Sequence, residues 1–393
     1  MTQSSTPPMN PPVADVRPTN RSFHGQKLED DYHWLRADNW QEVMRAPDVL
    51  DTDIRSYLEA ENAYTKQALA DTENLQKTLF EEMKGRIKED DSTVPSKDGP
   101  FAYFVSFIEG GQHPRFCRQR RDGGAEKVLL DGNELAENHA YFSFGGVSHS
   151  PDHKLLAYGS DVKGSEFYTI NIRDAATGEI IADTLDQTTG GAVWGNDNQT
   201  LYYTKLDDNH RSRWVYRHKI GSPQEEDELI YEEADNGFFV NVGKTLSGRF
   251  IIIGANDHQT SEVRLLDAND PTAEPHLVAE RQPGHEYSVE DGGIGLVILT
   301  NKDGAEDFKI MSADYGNPAP ENWVDIVPHE RGRLIVDVSA FKNHRVRLER
   351  LDGLPRIVIQ RLSDGEEHVI EFAEEAYSLG LSSGYEFDTT NLR

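Results

Sequence analysis

Cysteine occurs once in these 393 residues, at Cys117, so no disulfide can form within the chain and no cysteine-rich metal site can be assembled. Long apolar runs are also missing. No stretch reaches the roughly 20 residues that a bilayer-spanning helix needs, and the opening "MTQSSTPPMNPPVADVRPTN" has no charged region followed by an apolar one, as a secretory signal would. Residues 1–20 are read as a flexible leader, and a reducing compartment, the cytoplasm, is the expected location. Positive charge is scarce: Lys plus Arg number 40 against 69 Asp plus Glu, a formal charge of -29. Such a surface repels phosphate backbones and attracts cations, so nucleic acid is not an expected partner. Two readings of the acidity stay open, solubility or salt adaptation on one side and steering of cationic ligands on the other.

Two periodicities are present. Ile54, Leu58 and Leu69 lie in a stretch rich in Glu, Ala and Lys that Asp51, Thr52 and Asp53 can cap, and Leu75, Leu79, Met83 and Ile87 recur at four-residue steps. These predict a helical arm over roughly 50–88, within a segment 21–95, whose apolar stripe must pack against something. From about residue 100 the period becomes two. The runs "FAYFVSF", "LLAYGS", "TLYYTK", "RFIIIGA", "GLVILTN" and "HRVRLER" begin at Phe101, Leu155, Thr200, Arg249, Gly295 and His344, a recurrence of about 45–55 residues. Turn chemistry repeats with them, since "SHSPDHKLLAYGSDVKGSEFYTINIRD" and "TLSGRFIIIGANDHQTSEVRLLD" share one plan. The predicted fold is mainly β, a β-propeller over 96–393. Six blades are expected from near 100, 150, 194, 245, 290 and 340, with a seventh opening at "AYSLGLSSGYEF" and cut off.

Chemical motifs are few. Gly380 to Gly384 spell G-x-S-x-G around Ser382, but "SGYEFDTTNLR" after it is not helical and no His follows, so Ser382 is read as a turn residue and not a nucleophile. "GFFVNVGKT" from Gly237 has one residue too many for a phosphate loop and leads into a strand. His149 and His153 are four apart, but Pro151 lies between them and argues against the helix on which that spacing would join two metal ligands, so they are read as turn histidines. The sequence shows no H-E-x-x-H and no EF-hand loop. The basic run "RFCRQRRDGG" from Arg115 is read as an exposed edge strand and turn.

The segments "EDDYHWLR", "YLEAENAYT", "LFEEMKGRIKEDDSTVP", "YFSFGGVSHSPDHKLLAY", "VWGNDNQTLYYTKLDDNHR", "VYRHKIG", "TSEVRLLDANDPTAEPHLV", "GHEYSVE" and "DGLPRIVIQRLSDGEEHVI" follow in order from about Pro11 to Arg393. With them the chain resembles the amino-terminal portion of the oligopeptidase B branch of the prolyl oligopeptidase family of serine peptidases. The resemblance implies a seven-bladed propeller that covers and gates a carboxy-terminal α/β-hydrolase domain, against which the helical arm packs. It also implies cleavage of short peptides after Arg and Lys by a Ser, Asp, His triad, with no cofactor and no metal. No triad residue carries over, because the family's hydrolase domain lies beyond the matching segments. The chain is therefore expected to be a truncated form and inactive by itself. A stand-alone propeller that binds peptides or proteins, and one subunit of a split peptidase, are the alternatives. "NGFFVNVG" is similar to a family segment whose side chains face the substrate cavity, which marks Phe239 as the candidate substrate-facing residue, with core packing as its alternative.

Overall fold

In a computed structural model, residues 10–382 and 384–393 are described, with Ala182 by its backbone alone; residues 1–9 of the expected leader lie outside them, as does Ser383 of the G-x-S-x-G stretch. The chain divides into two compact units, Met1–Asp91 with Phe107–Gly111 and Lys163–Ser165, and Ser92–Ser106 with Gln112–Val162 and Glu166–Arg393. No helix among the described residues is long and apolar enough to cross a membrane.

The first unit opens with an antiparallel hairpin, Thr19–Phe23 paired with Gln26–Asp30. Three helices follow, α1 (Trp40–Arg45), α2 (Thr52–Ala68) and α3 (Glu73–Lys84). The expected cap at Asp51 forms: its carboxylate accepts from the amides of Asp53 at 2.8 Å and Ile54 at 3.3 Å, satisfying two of the donors that a helix start leaves free. Ile54 is the one buried residue of α2, and α3 buries none. The stripe of Leu75, Leu79, Met83 and Ile87 is therefore 45 to 67% exposed, an apolar face with the predicted spacing and nothing covering it within its own unit.

The second unit is all antiparallel sheet apart from short helical turns. The first sheet runs through Ser96–Asp98, Phe101–Ser106, Arg115–Arg120 and Lys127–Asp131. A seven-stranded sheet follows, with Ser143–His149, Leu155–Asp161, Tyr168–Asp174, Ile180–Trp194, Thr200–Leu206, Ser212–Lys219 and Glu228–Glu232 in sequence order. Three four-stranded sheets then begin at Phe239–Lys244, Tyr287–Asp291 and Arg333–Ala340. The seven-stranded sheet is two meanders fused through Ile180–Trp194, whose first half pairs with Tyr168–Asp174 and whose second half pairs with Thr200–Leu206. Between the halves Gly190 has φ of +87°; a Cβ on Gly159 would come within 2.2 Å of the Gly190 carbonyl oxygen and a Cβ on Gly190 within 2.8 Å of the Tyr168 ring, so both positions require glycine.

The repeat seen in the sequence has a structural cause. Ser150 Oγ accepts from the amide of Leu155 at 3.0 Å, and Thr245 Oγ1 accepts from the amide of Phe250 at 3.1 Å, in both cases five residues on. The backbone amides of Ser150 and Thr245 reciprocate to the same residues' carbonyls, both at 2.9 Å. A buried hydroxyl thus closes the turn between the first and second strands of these two meanders.

Two expectations are corrected. The apolar runs are the second strands, not the first, so each meander begins some residues before its expected start. Second strands have neighbours on both sides and are buried on both faces, whereas first strands such as Ser96–Asp98 and Ser143–His149 are short, polar or glycine-rich and read as turns. Residues 371–382 and 384–393 contain no strand, so the expected opening of a seventh blade is coil.

Hydrogen exchange should find the amides of α3 far less protected than those of Leu296–Thr300, since opening a helix with no buried side chain costs little; equal protection would contradict this placement. His218 yields a second prediction. It is fully buried, with Nδ1 2.6 Å from Asp227 Oδ1 and Nε2 3.4 Å from Asp183 Oδ2. Burial disfavours the imidazolium, but the two carboxylates together outweigh it and raise the pKa. Its contribution is thus complete below the ordinary histidine value of about 6.5 and lost as pH rises through the folded value. The thermal midpoint should fall over that interval in the wild type, and the fall should shrink in His218→Gln; an unchanged profile would refute the assignment.

Candidate functional site

The first strands of successive sheets end close together. Asp98, His149, Trp194 and Lys244 are each the last residue of a first strand, counting the second half of Ile180–Trp194 as one. All four line one cavity of about 640 Å³, together with Gly384 to Asp388 of the carboxy-terminal segment. In every case a turn follows immediately, Gly-Pro after Asp98, Ser-Pro after His149, Gly-Asn after Trp194 and Thr-Leu-Ser-Gly after Lys244.

The polar groups there are unusually dry. Lys244 Nζ donates to the Trp194 carbonyl at 2.9 Å and to Asn196 Oδ1 at 2.6 Å. Burial pushes its pKa down to about 8, against the pull of Asp197 and Asp98. Burial likewise raises the Asp98 carboxyl and lowers both His149 and His153, so the imidazoles are neutral at pH 7. Tyr103 stacks on His149 with centroids 4.0 Å apart, and its hydroxyl lies 2.9 Å from His153 Nδ1. Tyr385 packs against both Tyr103 and His149, at 5.9 and 5.3 Å. Beside it Glu386 pairs bidentately with Arg121, one contact being 3.0 Å.

The site can bind and orient charged groups, but the residues around it do not form a hydrolytic pair. Ser148 Oγ donates to the Ala192 carbonyl at 2.9 Å, and Ser150 Oγ donates to Asp152 Oδ1 at 2.7 Å, so the hydroxyls next to the imidazoles are engaged elsewhere. Ser382 is exposed, and residues 371–382 and 384–393 contain neither the strand nor the helix of a nucleophile elbow. "GFFVNVGKT" forms a turn and then the strand Phe239–Lys244, with no helix for a phosphate to face.

Phe239 starts the strand that Lys244 ends, about 17 Å away for six extended residues, and does not line the cavity. It is 39% exposed, with the Arg211 guanidinium 3.7 Å from its ring centroid. The core position belongs to its neighbour Phe238, 8% exposed, against which Arg281 packs at 4.0 Å.

Two readings of the sequence are overturned. Only His153 is a turn residue; His149 ends the strand Ser143–His149, and the Ser-Pro-Asp turn that follows brings the two rings to within 5.1 Å, because His153 adopts a left-handed backbone with φ of +62°. The basic run at Arg115 is not an edge strand, since Arg115–Arg120 has partners on both sides. Arg118 is buried, lies over Phe101 at 4.0 Å and donates to the His153 carbonyl at 2.7 Å. Its charge is used to fix the histidine turn. Asp98 and Lys244 were not identified from the sequence; the signal available was their position just before each repeated turn.

The comparisons agree with this geometry. The family model described as prolyl oligopeptidase, N-terminal beta-propeller domain, matches residues 11–393. A dipeptidyl aminopeptidase BI of Pseudoxanthomonas mexicana is 32% identical over 99% of this chain and 54% of its own length, and protease 2 of Moraxella lacunata is 31% identical over 98% and 54%. Among solved structures, oligopeptidase B from Leishmania major superposes with a TM-score of 0.89 at 28% identity, covering 98% of this chain and 57% of that one. Oligopeptidase B from Trypanosoma brucei, with covalently bound antipain, gives 0.87 at 28% identity, over 98% and 56%. The chain spans about half the length of the curated relatives it matches. A mainly antiparallel chain of repeated meanders, matched over nearly its whole length, belongs to the prolyl oligopeptidase family of serine peptidases and carries that family's N-terminal β-propeller domain.

Proposed function

We propose that this chain is the gating portion of a serine oligopeptidase that hydrolyses short peptides after Arg and Lys, with the Ser, Asp, His triad supplied by a hydrolase portion in cis or in trans. The observation that carries the reading is the 0.89 superposition on an oligopeptidase B over 98% of this chain but only 57% of that one. In such an arrangement the propeller narrows access to the triad, so that peptides enter and folded proteins do not. A formal charge of -29 supports the preference for basic peptides, because it raises their concentration near the entrance. The cytoplasm is the proposed location, in keeping with a single, buried, unpaired Cys117. The exposed stripe of α3 is the proposed packing face for the hydrolase portion.

Purified chain 1–393 should release no product from an Arg-containing chromogenic peptide. Release that a serine-directed reagent blocks would refute the reading.

Phe239 is the proposed substrate-facing residue, on the support of its exposure and of the Arg211 cation above its ring. With the hydrolase portion present, Phe239→Ala should raise KM severalfold and leave kcat nearly unchanged, the signature of lost uniform binding. Unchanged peptide kinetics together with a lower thermal midpoint would assign Phe239 to packing instead.

A further inference from the structure

Among the described residues, Asp98, His149 and His153 each present one donor atom, and all three atoms lie within 4.8 Å of one another. They come from two neighbouring meanders: Asp98 ends the first strand of one, His149 ends the first strand of the next, and His153 lies in the turn after it. The His149 side chain is nine-tenths buried, and among the described residues its Nε2 has no hydrogen-bond partner. Asp98 Oδ2 lies 3.3 Å away, within ion-pair distance but off the line that a hydrogen bond requires. Stacking against Tyr103 holds the imidazole in that orientation.

We propose that Asp98, His149 and His153 bind one divalent transition-metal ion of the zinc type, clamping the first strands of the first two meanders together. The donor set, two imidazoles and one carboxylate, suits zinc. Donors about 2.0–2.2 Å from a tetrahedral ion stand about 3.3–3.6 Å apart, and the 3.3 Å between His149 Nε2 and Asp98 Oδ2 meets this already. Binding would draw the three donor atoms, which lie within 4.8 Å of one another, in to that spacing. The surroundings supply the outer contacts that orient ligating histidines. His149 Nδ1 faces the Ser150 carbonyl at 3.2 Å and His153 Nδ1 faces the Tyr103 hydroxyl at 2.9 Å, which leaves each Nε2 for the ion. Gly99 keeps the second of these open, since a Cβ there would come within 2.7 Å of His153 Nε2. This inference is independent of the proposed peptidase reading: the ion has a structural role.

The test uses the whole chain, stripped with a chelator and titrated with Zn²⁺. One equivalent should bind and raise the thermal midpoint, and Co²⁺ in its place should give the intense visible absorption of a tetrahedral site at the same stoichiometry. Asp98→Asn and His149→Gln should each lose that equivalent, with far-ultraviolet circular dichroism unchanged, and Tyr103→Phe should weaken it about 10–100-fold. Failure to bind Zn²⁺, or one equivalent bound equally by wild type and both variants, would overturn the proposal. If neither variant folds, the Co²⁺ spectrum of the wild type decides: octahedral weak bands or none would refute a tetrahedral site.

Discussion

Each meander in this protein depends on the next for its hydrophobic core. Four buried clusters lie between sheets: Tyr103, Leu129 and Leu130 of the first sheet pack with Leu156 and Tyr158 of the next, and Val263, Leu265 and Val278 pack with Tyr287, Leu296, Ile298 and Met311. The same holds for Tyr202 and Val215 against Val240, Ile251 and Ile253, and for Val297, Leu299 and Ile310 against Ile335 and Val338. A single four-stranded antiparallel sheet has two faces and cannot hide either alone, so stacking is what makes the repeat stable. In the sheet that begins at Arg333–Ala340, Phe341, Val346 and Ile357 are covered by Leu379, Leu381 and Leu392 of the coil that follows.

The polar site follows from the same constraint. Stacking twisted sheets face to face brings their first strands together at one end, and residues that end those strands meet whatever their separation in sequence. Asp98, His149, Trp194 and Lys244 are spaced by 45 to 51 positions, one repeat each, and share a cavity. Crowding excludes water, and the resulting loss of solvation sets the low Lys244 and histidine pKa values and the high Asp98 value. At the opposite end of one such strand, Phe239 is in a different environment, an exposed aromatic under a cation.

What could be read from the sequence was whatever its local periodicity encodes. The second strands, such as "LVILT" and "FIIIGAN", are continuous apolar runs and stand out, and the Asp51 cap and the stripe of α3 obey the helical period. The first strands were hidden because Ser96–Asp98 and "SFGGVSH" are short, polar or glycine-rich and look like turns. Ile180–Trp194 was hidden because one strand serves two meanders. The choice between Phe238 and Phe239 depended on which of two adjacent aromatics faces inward, a one-residue register that only packing decides. The histidine pair was judged by helical spacing, a criterion blind to a left-handed turn residue.

If neighbouring sheets share their cores, damage to one must be felt in the next. Ile298 is fully buried in the cluster it shares with the preceding sheet, and Ile298→Ala removes several methyl and methylene groups, costing roughly 2–5 kcal/mol. Residue-resolved hydrogen exchange on that variant should show lost protection in Ser261–Asp267 of the neighbouring sheet as well as in Leu296–Thr300 itself. A loss confined to Leu296–Thr300 and its own hydrogen-bonded partners would contradict the account.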